Sequence, residues 1–385
     1  MRKVYILFFY IFITGTGLLS FANLMDHYIN DKEDQHRWVK EQGSKFETDI
    51  AGNFFEQFEF VNLNGLMAKA IGKNELNNVI RLDNGYLYIT NEECPDEDIA
   101  VMANRVIAFN EYLARRGIPL IFTINPGTSS KYDPQLPEYY VDHTNDNVDR
   151  FCYALQSRGV WVVDFREELH NDGIDAYDMM YRTDHHWNTK MGFYVYGKIA
   201  DLLAHELDCD IDPKVRDINS YTIETYKKWH LGSRGQRTGK YFGGVDDFDL
   251  FVPDFDTSLT RCEDDAQGNY TSLLIDTGSL KKKDLTSMRK DVNIRSTYDR
   301  VLERSQGDFI NDYSANDKCI IVTGDSFAKA VCPFMNISFA HTKWCDPVTD
   351  TDIEETKPDA VVMIFDVSGF ESEGDFDFEW DETKE

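Results

Sequence analysis

Four short, almost wholly apolar runs constrain this chain more than any other feature: Pro119–Ile124, Val160–Val163, Cys319–Thr323 and Asp359–Phe365. Runs of that length without polar alternation suit strands buried on both faces, as in parallel sheets covered by helices. The segments between them carry the helical period. Ile99, Met102, Val106, Phe109 and Leu113 recur at steps of three and four ahead of Gly117, and Val148, Phe151 and Leu155 do so ahead of Gly159. A third helix is expected from about Thr189 to Leu207. Strands alternating with helices define an α/β fold whose mainly parallel sheet has helices on both faces.

Asp83-Asn84-Gly85 ahead of Tyr86-Leu87-Tyr88-Ile89 reads as a turn entering a short strand. The α/β rhythm breaks between about 208 and 317. There Gly232, Gly235, Gly239, Gly243 and Gly244 crowd together, and short alternating segments such as Asp249-Leu250-Phe251-Val252 stand near Pro253, the pattern of a β-rich insertion. Residues 25–74 lack a strong period and read as a stalk or an irregular N-terminal layer, and 371–385 as an acidic tail, which leaves 75–370 as the main domain.

Arg2 and Lys3 precede an uncharged run from Val4 to Leu24, the layout of a signal peptide or an N-terminal membrane anchor at 1–24. At about 1.5 Å per residue the run is roughly 30 Å long, enough for a bilayer. Ser20-Phe21-Ala22 also supplies small residues for cleavage, so anchor and cleaved signal are both open. Either places the rest of the chain outside the cytoplasm, anchored to the membrane or secreted. Of 385 residues, 40 are Lys or Arg and 68 Asp or Glu, a net charge of −28 that repels phosphate backbones and argues against nucleic acid as partner. The seven cysteines contain no CxxC pair, which excludes a zinc knuckle or a thioredoxin motif and leaves any disulfide pairing unassigned.

The sharpest chemical signal is the apolar strand that runs into Gly324-Asp325-Ser326-Phe327. Ligands of open α/β sheets bind at the carboxyl ends of the strands, so Ser326 is well placed as a nucleophile, but its hydroxyl needs a base. Read alone, Asp325-Ser326 equally suits the N-cap of the next helix. The partners stand in Tyr181-Arg182-Thr183-Asp184-His185-His186-Trp187-Asn188, just before the third helix. Asp184 and His186 are two apart on a loop, close enough for the carboxylate to hold the imidazole in one tautomer. The alternative is that these histidines cap the helix and Trp187 is core. Neighbouring histidines on a loop seldom converge on one ion, and no HExxH spacing is present, so no metal is expected. Arg182, Trp187 and His341 are candidate substrate contacts, His341 as one wall of the same cleft.

Asp184-His185-His186-Trp187 followed by Gly192, together with Gly324-Asp325-Ser326-Phe327, resembles the DHHW proteins, relatives of the alginate O-acetyltransferases within the SGNH hydrolase superfamily. The resemblance covers about 75–370 and includes Asn84-Gly85-Tyr86-Leu87-Tyr88, Gly232-Ser233 with Arg237, and Pro358-Asp359-Ala360-Val361-Val362. It implies an SGNH-like fold with Ser326 as nucleophile, His186 as general base, Asp184 as its orienter and, after the strand ending at Ile124, Asn125 as the candidate oxyanion donor. The motif order is circularly permuted, since SGNH hydrolases usually carry GDS first and an Asp-x-x-His pair last. It further implies an O-acetyltransferase acting on a cell-surface or secreted polysaccharide, a membrane-bound O-acyltransferase as acetyl supplier, and no cofactor. A polysaccharide acetylesterase of the same mechanism is one alternative. A catalytically silent carbohydrate-binding or assembly protein is another, and the intact Asp184, His186 and Ser326 count against it.

Overall fold

The apolar runs of the sequence all become strands of one sheet, and the periodic segments between them become helices that cover it. The computed structural model describes residues 14–20, 57–280 and 297–366. The chain enters with helix α1 (Gln57–Ala70) and a small antiparallel sheet of β1 (Glu75–Leu76), β2 (Val79–Arg81) and β3 (Leu87–Tyr88). Gly85 makes the turn into β3 at a φ of 88°, a conformation open to glycine. Next, α2 (Asp96–Ala114), β4 (Leu120–Ile124), α3 (Thr144–Gln156), β5 (Trp161–Asp164) and α4 (Thr189–Glu206) alternate. Then follow β6 (Tyr221–His230), α5 (Ser233–Thr238), β7 (Asp246–Pro253), β8 (Leu259–Arg261), β9 (Ala266–Gly268) and α6 (Thr297–Leu302). The last strands are β10 (Asp308–Asn311), β11 (Cys319–Gly324), β12 (His341–Trp344) and β13 (Ala360–Phe365).

The main sheet has the order β5-β4-β13-β11-β12-β10-β8-β9. Its first five strands are parallel, with Ile321 opposite Val361 and Val362 opposite Ile121, and β10, β8 and β9 add to the far edge antiparallel. Side chains alternate between two cores. Phe122, Ile321, Val361 and Met363 pack with Ile99, Val106 and Phe109 of α2 and Phe151 of α3, whereas Ile121, Ile320, Val322, Val362 and Ile364 pack with Val195, Ile199 and Leu203 of α4. Both faces being covered is why these runs carry no polar alternation. All four strands therefore point their carboxyl ends to one edge of the sheet, where Asp164 ends β5 and Asn125, Asp325 and Asp366 follow the other three.

Two expectations about organisation change. Helix α1 lies inside the segment read as a stalk, yet it belongs to the folded body. Gly65 sits so close to the Thr238 carbonyl that a Cβ would overlap it, and the Lys240 N–H donates to Asn62 Oδ1 at 2.9 Å. Its weak amphipathic pattern hid it. The segment at 208–317 is β-rich as expected but does not stand apart, because β8, β9 and β10 hydrogen-bond onto the main sheet while β6 and β7 pair with each other. The expected address at 1–24 lies outside the described residues apart from 14–20, and the acidic tail lies wholly outside them. No helix among the described residues is long and apolar enough to cross a membrane.

Candidate active site

Strand β11 delivers Ser326 to the carboxyl edge through a sharp turn. Gly324 has a φ of 146°, and a Cβ there would overlap the Ile364 carbonyl of β13, so the turn admits only glycine. Asp325 then caps the 3-10 turn Ser326–Ala330: its Oδ1 accepts from the Phe327 N–H at 2.8 Å and its Oδ2 from the Asp366 N–H at 2.6 Å. The capping role open to Asp325-Ser326 thus falls on Asp325 alone, and the half-buried Ser326 hydroxyl takes no part in it. The turn is pinned from behind. Tyr298 OH donates to the Ser326 and Phe327 carbonyls at 3.1 and 2.9 Å, and Trp187 Nε1–H to that of Phe327 at 3.0 Å. Gly192, on the first turns of α4, lets that helix press against Ala330 where a Cβ would collide.

The Asp184–Trp187 loop, one residue ahead of the α4 cap Asn188, reaches the same edge. His186 Nε2 lies 2.6 Å from Ser326 Oγ, and His186 Nδ1 lies 3.4 Å from Asp184 Oδ1. The second distance is loose for a hydrogen bond, and apo catalytic geometry is often so. Asp184 is fully buried and heavily solvated by protein. Its Oδ1 accepts from the His185 N–H at 2.8 Å and the Ser233 hydroxyl at 3.1 Å, and its Oδ2 faces His230 Nε2 at 2.8 Å. Burial alone would raise this carboxyl, but the three surrounding imidazoles outweigh it and hold Asp184 well below the usual carboxylate range. For His186 burial is the larger effect and pushes its pKa down, with Asp184 opposing. The ring is therefore neutral at neutral pH, the form in which a general base must stand. Tyr298 stacks on it, ring centroids 4.2 Å apart, and fixes its plane.

Of the remaining candidates, Asn125 closes β4 at this edge, its N–H donating to the Phe365 carbonyl at 2.9 Å. Its side chain is fully buried with neither Oδ1 nor Nδ2 partnered. One strand, β13, stands between it and Asp325, two inter-strand spacings or roughly 10 Å. Arg182 stays half-buried beside Gly244, its N–H held by Asp246 Oδ1 at 3.0 Å. Two candidates are corrected. Trp187 is fully buried and supports the serine turn instead of facing a ligand. His341 begins β12 opposite Cys319, the first residue of β11, and so lies at the other end of the sheet from Ser326. A place after Ser326 in the sequence does not fix which end of the next parallel strand His341 occupies.

Sequence reading missed His230, Arg234 and Tyr298. Arg234 is buried, and its Nη1 donates to the carbonyls of Leu87 and Asp184 at 2.9 and 3.1 Å and to Thr128 Oγ1 at 2.6 Å, tying the loop after β4 to the histidine loop. Gly232 passes so close to Asp184 that a Cβ would fall on it. Gly232-Ser233 was the visible signal for this contribution. The adjacent histidines do converge, against expectation: ligand atoms of Asp184, His185 and His186 lie within 4.8 Å of one another. His186, however, already spans Ser326 and Asp184 with its two nitrogens.

A parallel sheet covered on both faces, with Gly-Asp-Ser at the end of one strand and an Asp-x-His loop meeting it, defines the SGNH hydrolase-like class. Residues 79–225 match the family model of the SGNH hydrolase-like domain, acetyltransferase AlgX. The fold is similar to that of PatB1 from Bacillus cereus, 16% identical with a TM-score of 0.58, the match covering 78% of this chain and 100% of that one. It is similar too to a DHHW family protein from Eubacterium siraeum, 17% identical with a TM-score of 0.56, covering 77% of this chain and 93% of that one. No curated protein matches this chain in sequence. The fold is SGNH hydrolase-like, and residues 79–225 are similar to an acetyltransferase domain of that kind, as the two motifs led one to expect.

Proposed function

We propose that this protein is an extracytoplasmic serine acyl-transfer enzyme that moves an acetyl group to a hydroxyl of a cell-surface or secreted polysaccharide. The observation that carries the proposal is the 2.6 Å contact between Ser326 Oγ and a buried, neutral His186. His186 Nε2 takes the hydroxyl proton as Ser326 Oγ bonds the acyl carbon, and Asp184 stabilises the imidazolium that results. The Ser326 backbone N–H donates to no acceptor among the described residues. It is the donor that this reading assigns to the oxyanion. His186 then returns the proton to the leaving group, and a sugar hydroxyl, deprotonated by the same nitrogen, attacks the acyl-enzyme and frees Ser326. The acetyl group and the glycan follow from the family match and the DHHW resemblance; a membrane-bound O-acyltransferase is the acetyl supplier in that reading, and no cofactor takes part. An acetylesterase differs only in that water meets the acyl-enzyme. An activated acetyl ester, with and without an oligosaccharide acceptor, separates the two. Acetylated acceptor appearing at the expense of free acetate supports transfer, and an acceptor that changes neither product nor rate refutes it.

A further inference from the structure

A second cluster of chemical groups stands at the opposite end of the sheet. Four adjacent strands, in the order β8, β10, β12 and β11, bring Cys262, Asp308, His341 and Cys319 together, Asp308 standing opposite Lys343, two residues along β12 from His341. His341 is paired with Cys319 on one side and Ile310 on the other, and Cys262 closes against Asp308 through its N–H, 2.8 Å from the Asp308 carbonyl. Because side chains alternate along a strand, these registers put all four on the same face. His341 Nε2 lies 2.6 Å from Asp308 Oδ1, and the Cys262 thiol hydrogen-bonds the same carboxylate. His341 Nδ1 is engaged from behind by Cys319 Sγ at 3.2 Å. Ligand atoms of Cys262, Asp308 and His341 all lie within 4.8 Å of one another, and each residue is partly open to solvent.

We infer that Cys262, Asp308 and His341 form a binding site for a divalent zinc-type cation, one that braces the antiparallel edge of the sheet against its parallel half. One sulfur, one imidazole nitrogen and one carboxylate oxygen are the donor types such an ion takes, and three protein ligands leave a fourth tetrahedral position to water. Cys319 cannot ligate the same ion, because it faces the other ring nitrogen; it holds the imidazole in the orientation that presents Nε2, as outer partners of ligating histidines do. Glu263, whose Oε1 accepts from the Asp308 N–H at 3.0 Å, adds negative charge beside the site. On binding, the ion replaces the proton that His341 shares with Asp308 and the proton of the Cys262 thiol, and both go to solvent. The ligands come from strands separated by up to 79 residues, from 262 to 341, so no spacing motif announces them. The site lies a strand length from Ser326, and this inference does not rest on the acyl-transfer reading.

The test is titration of chelator-treated full-length protein, kept reduced, with zinc by calorimetry and with cobalt by absorption. One ion per chain, a thiolate-to-cobalt charge-transfer band and a higher melting temperature with zinc are expected. Cys262→Ser and His341→Gln should abolish the band, and Cys319→Ala should weaken binding about 10-fold. Circular dichroism checks that each variant is folded, and where one is not, Asp308→Asn with the same readouts takes its place. No binding by the wild type, a band that survives in Cys262→Ser, or an ion lost in His185→Ala but kept in His341→Gln would each overturn the inference.

Discussion

The two ends of strand β11 hold the same chemical vocabulary used in opposite ways. At the carboxyl end a hydroxyl, an imidazole and a carboxylate line up as Ser326, His186 and Asp184; at the amino end a thiol, an imidazole and a carboxylate line up as Cys319, His341 and Asp308. The difference lies in burial and in how the carboxylate is shared. His186 is almost wholly buried, and Asp184, 3.4 Å away, divides its charge among His185, His230 and Ser233, so desolvation wins and the ring is held neutral. His341 is half-buried with Asp308 at 2.6 Å, and that hydrogen bond, with Cys319 adding to it, raises its pKa to about 10. A protonated imidazole cannot take a proton from a nucleophile. Three residues of the right types in a row are therefore not a catalytic triad until the environment empties the base.

That contrast can be broken residue by residue. Asp184→Asn keeps the shape but removes the charge that stabilises the His186 imidazolium, and its kcat for acetyl ester turnover should fall by about 10⁴-fold, on the precedent of the serine-protease aspartate. A fall of less than 10-fold would place the stabilising charge elsewhere. His230→Gln removes the ring that steadies Asp184 Oδ2, without touching Ser326 or His186. Losing a hydrogen bond to a charged group costs about 1.5–3 kcal/mol, so kcat should drop about 10- to 100-fold with KM unchanged. A change confined to KM would show that His230 acts on substrate. Tyr298→Phe loses the hydroxyl bonded to the Ser326 and Phe327 carbonyls but keeps the stacked ring; the stability cost should be about 1 kcal/mol, and turnover should fall only a few-fold.

The smallest effect is the most telling about the comparison. Because the His186 pKa is depressed, its base form persists below the ordinary histidine value of about 6.5, and kcat/KM should decline only as pH falls through that lower value. Ring-proton NMR of chelator-treated protein should find one histidine titrating below 6.5 and another, lost in His341→Gln, titrating near 10. Both histidines titrating together near 6.5 would remove the distinction.

Much of this was legible in the residues. The apolar runs and the steps of three and four through Ile99 to Leu113 predicted β4, β11, β13 and α2 because burial on both faces forces those patterns. Gly324-Asp325-Ser326 with Asp184 and His186 pointed to the groups that the structure brings together, since acyl transfer of the proposed kind needs them whatever the fold. Helix α1 was not legible: its buried positions are Asn62, Gly65 and Ala68, small or polar residues that leave no stripe of large hydrophobics. Nor were His230 and Arg234. Their roles depend on how β6 and α5 return to Asp184, a long-range closure that local periodicity does not encode. His341 failed for the same reason, its sequence distance from Ser326 saying nothing about which end of β12 it begins.

The central claim is that the environment of His186 makes Ser326 a nucleophile, and intact-mass measurement after exposure to an activated acetyl ester tests it most directly. Wild type should gain a single acetyl adduct, Ser326→Ala none, and His186→Ala should gain it only very slowly, because an unassisted hydroxyl is a poor nucleophile at neutral pH. A Ser326→Ala protein that acquires the adduct at the wild-type rate would contradict the account.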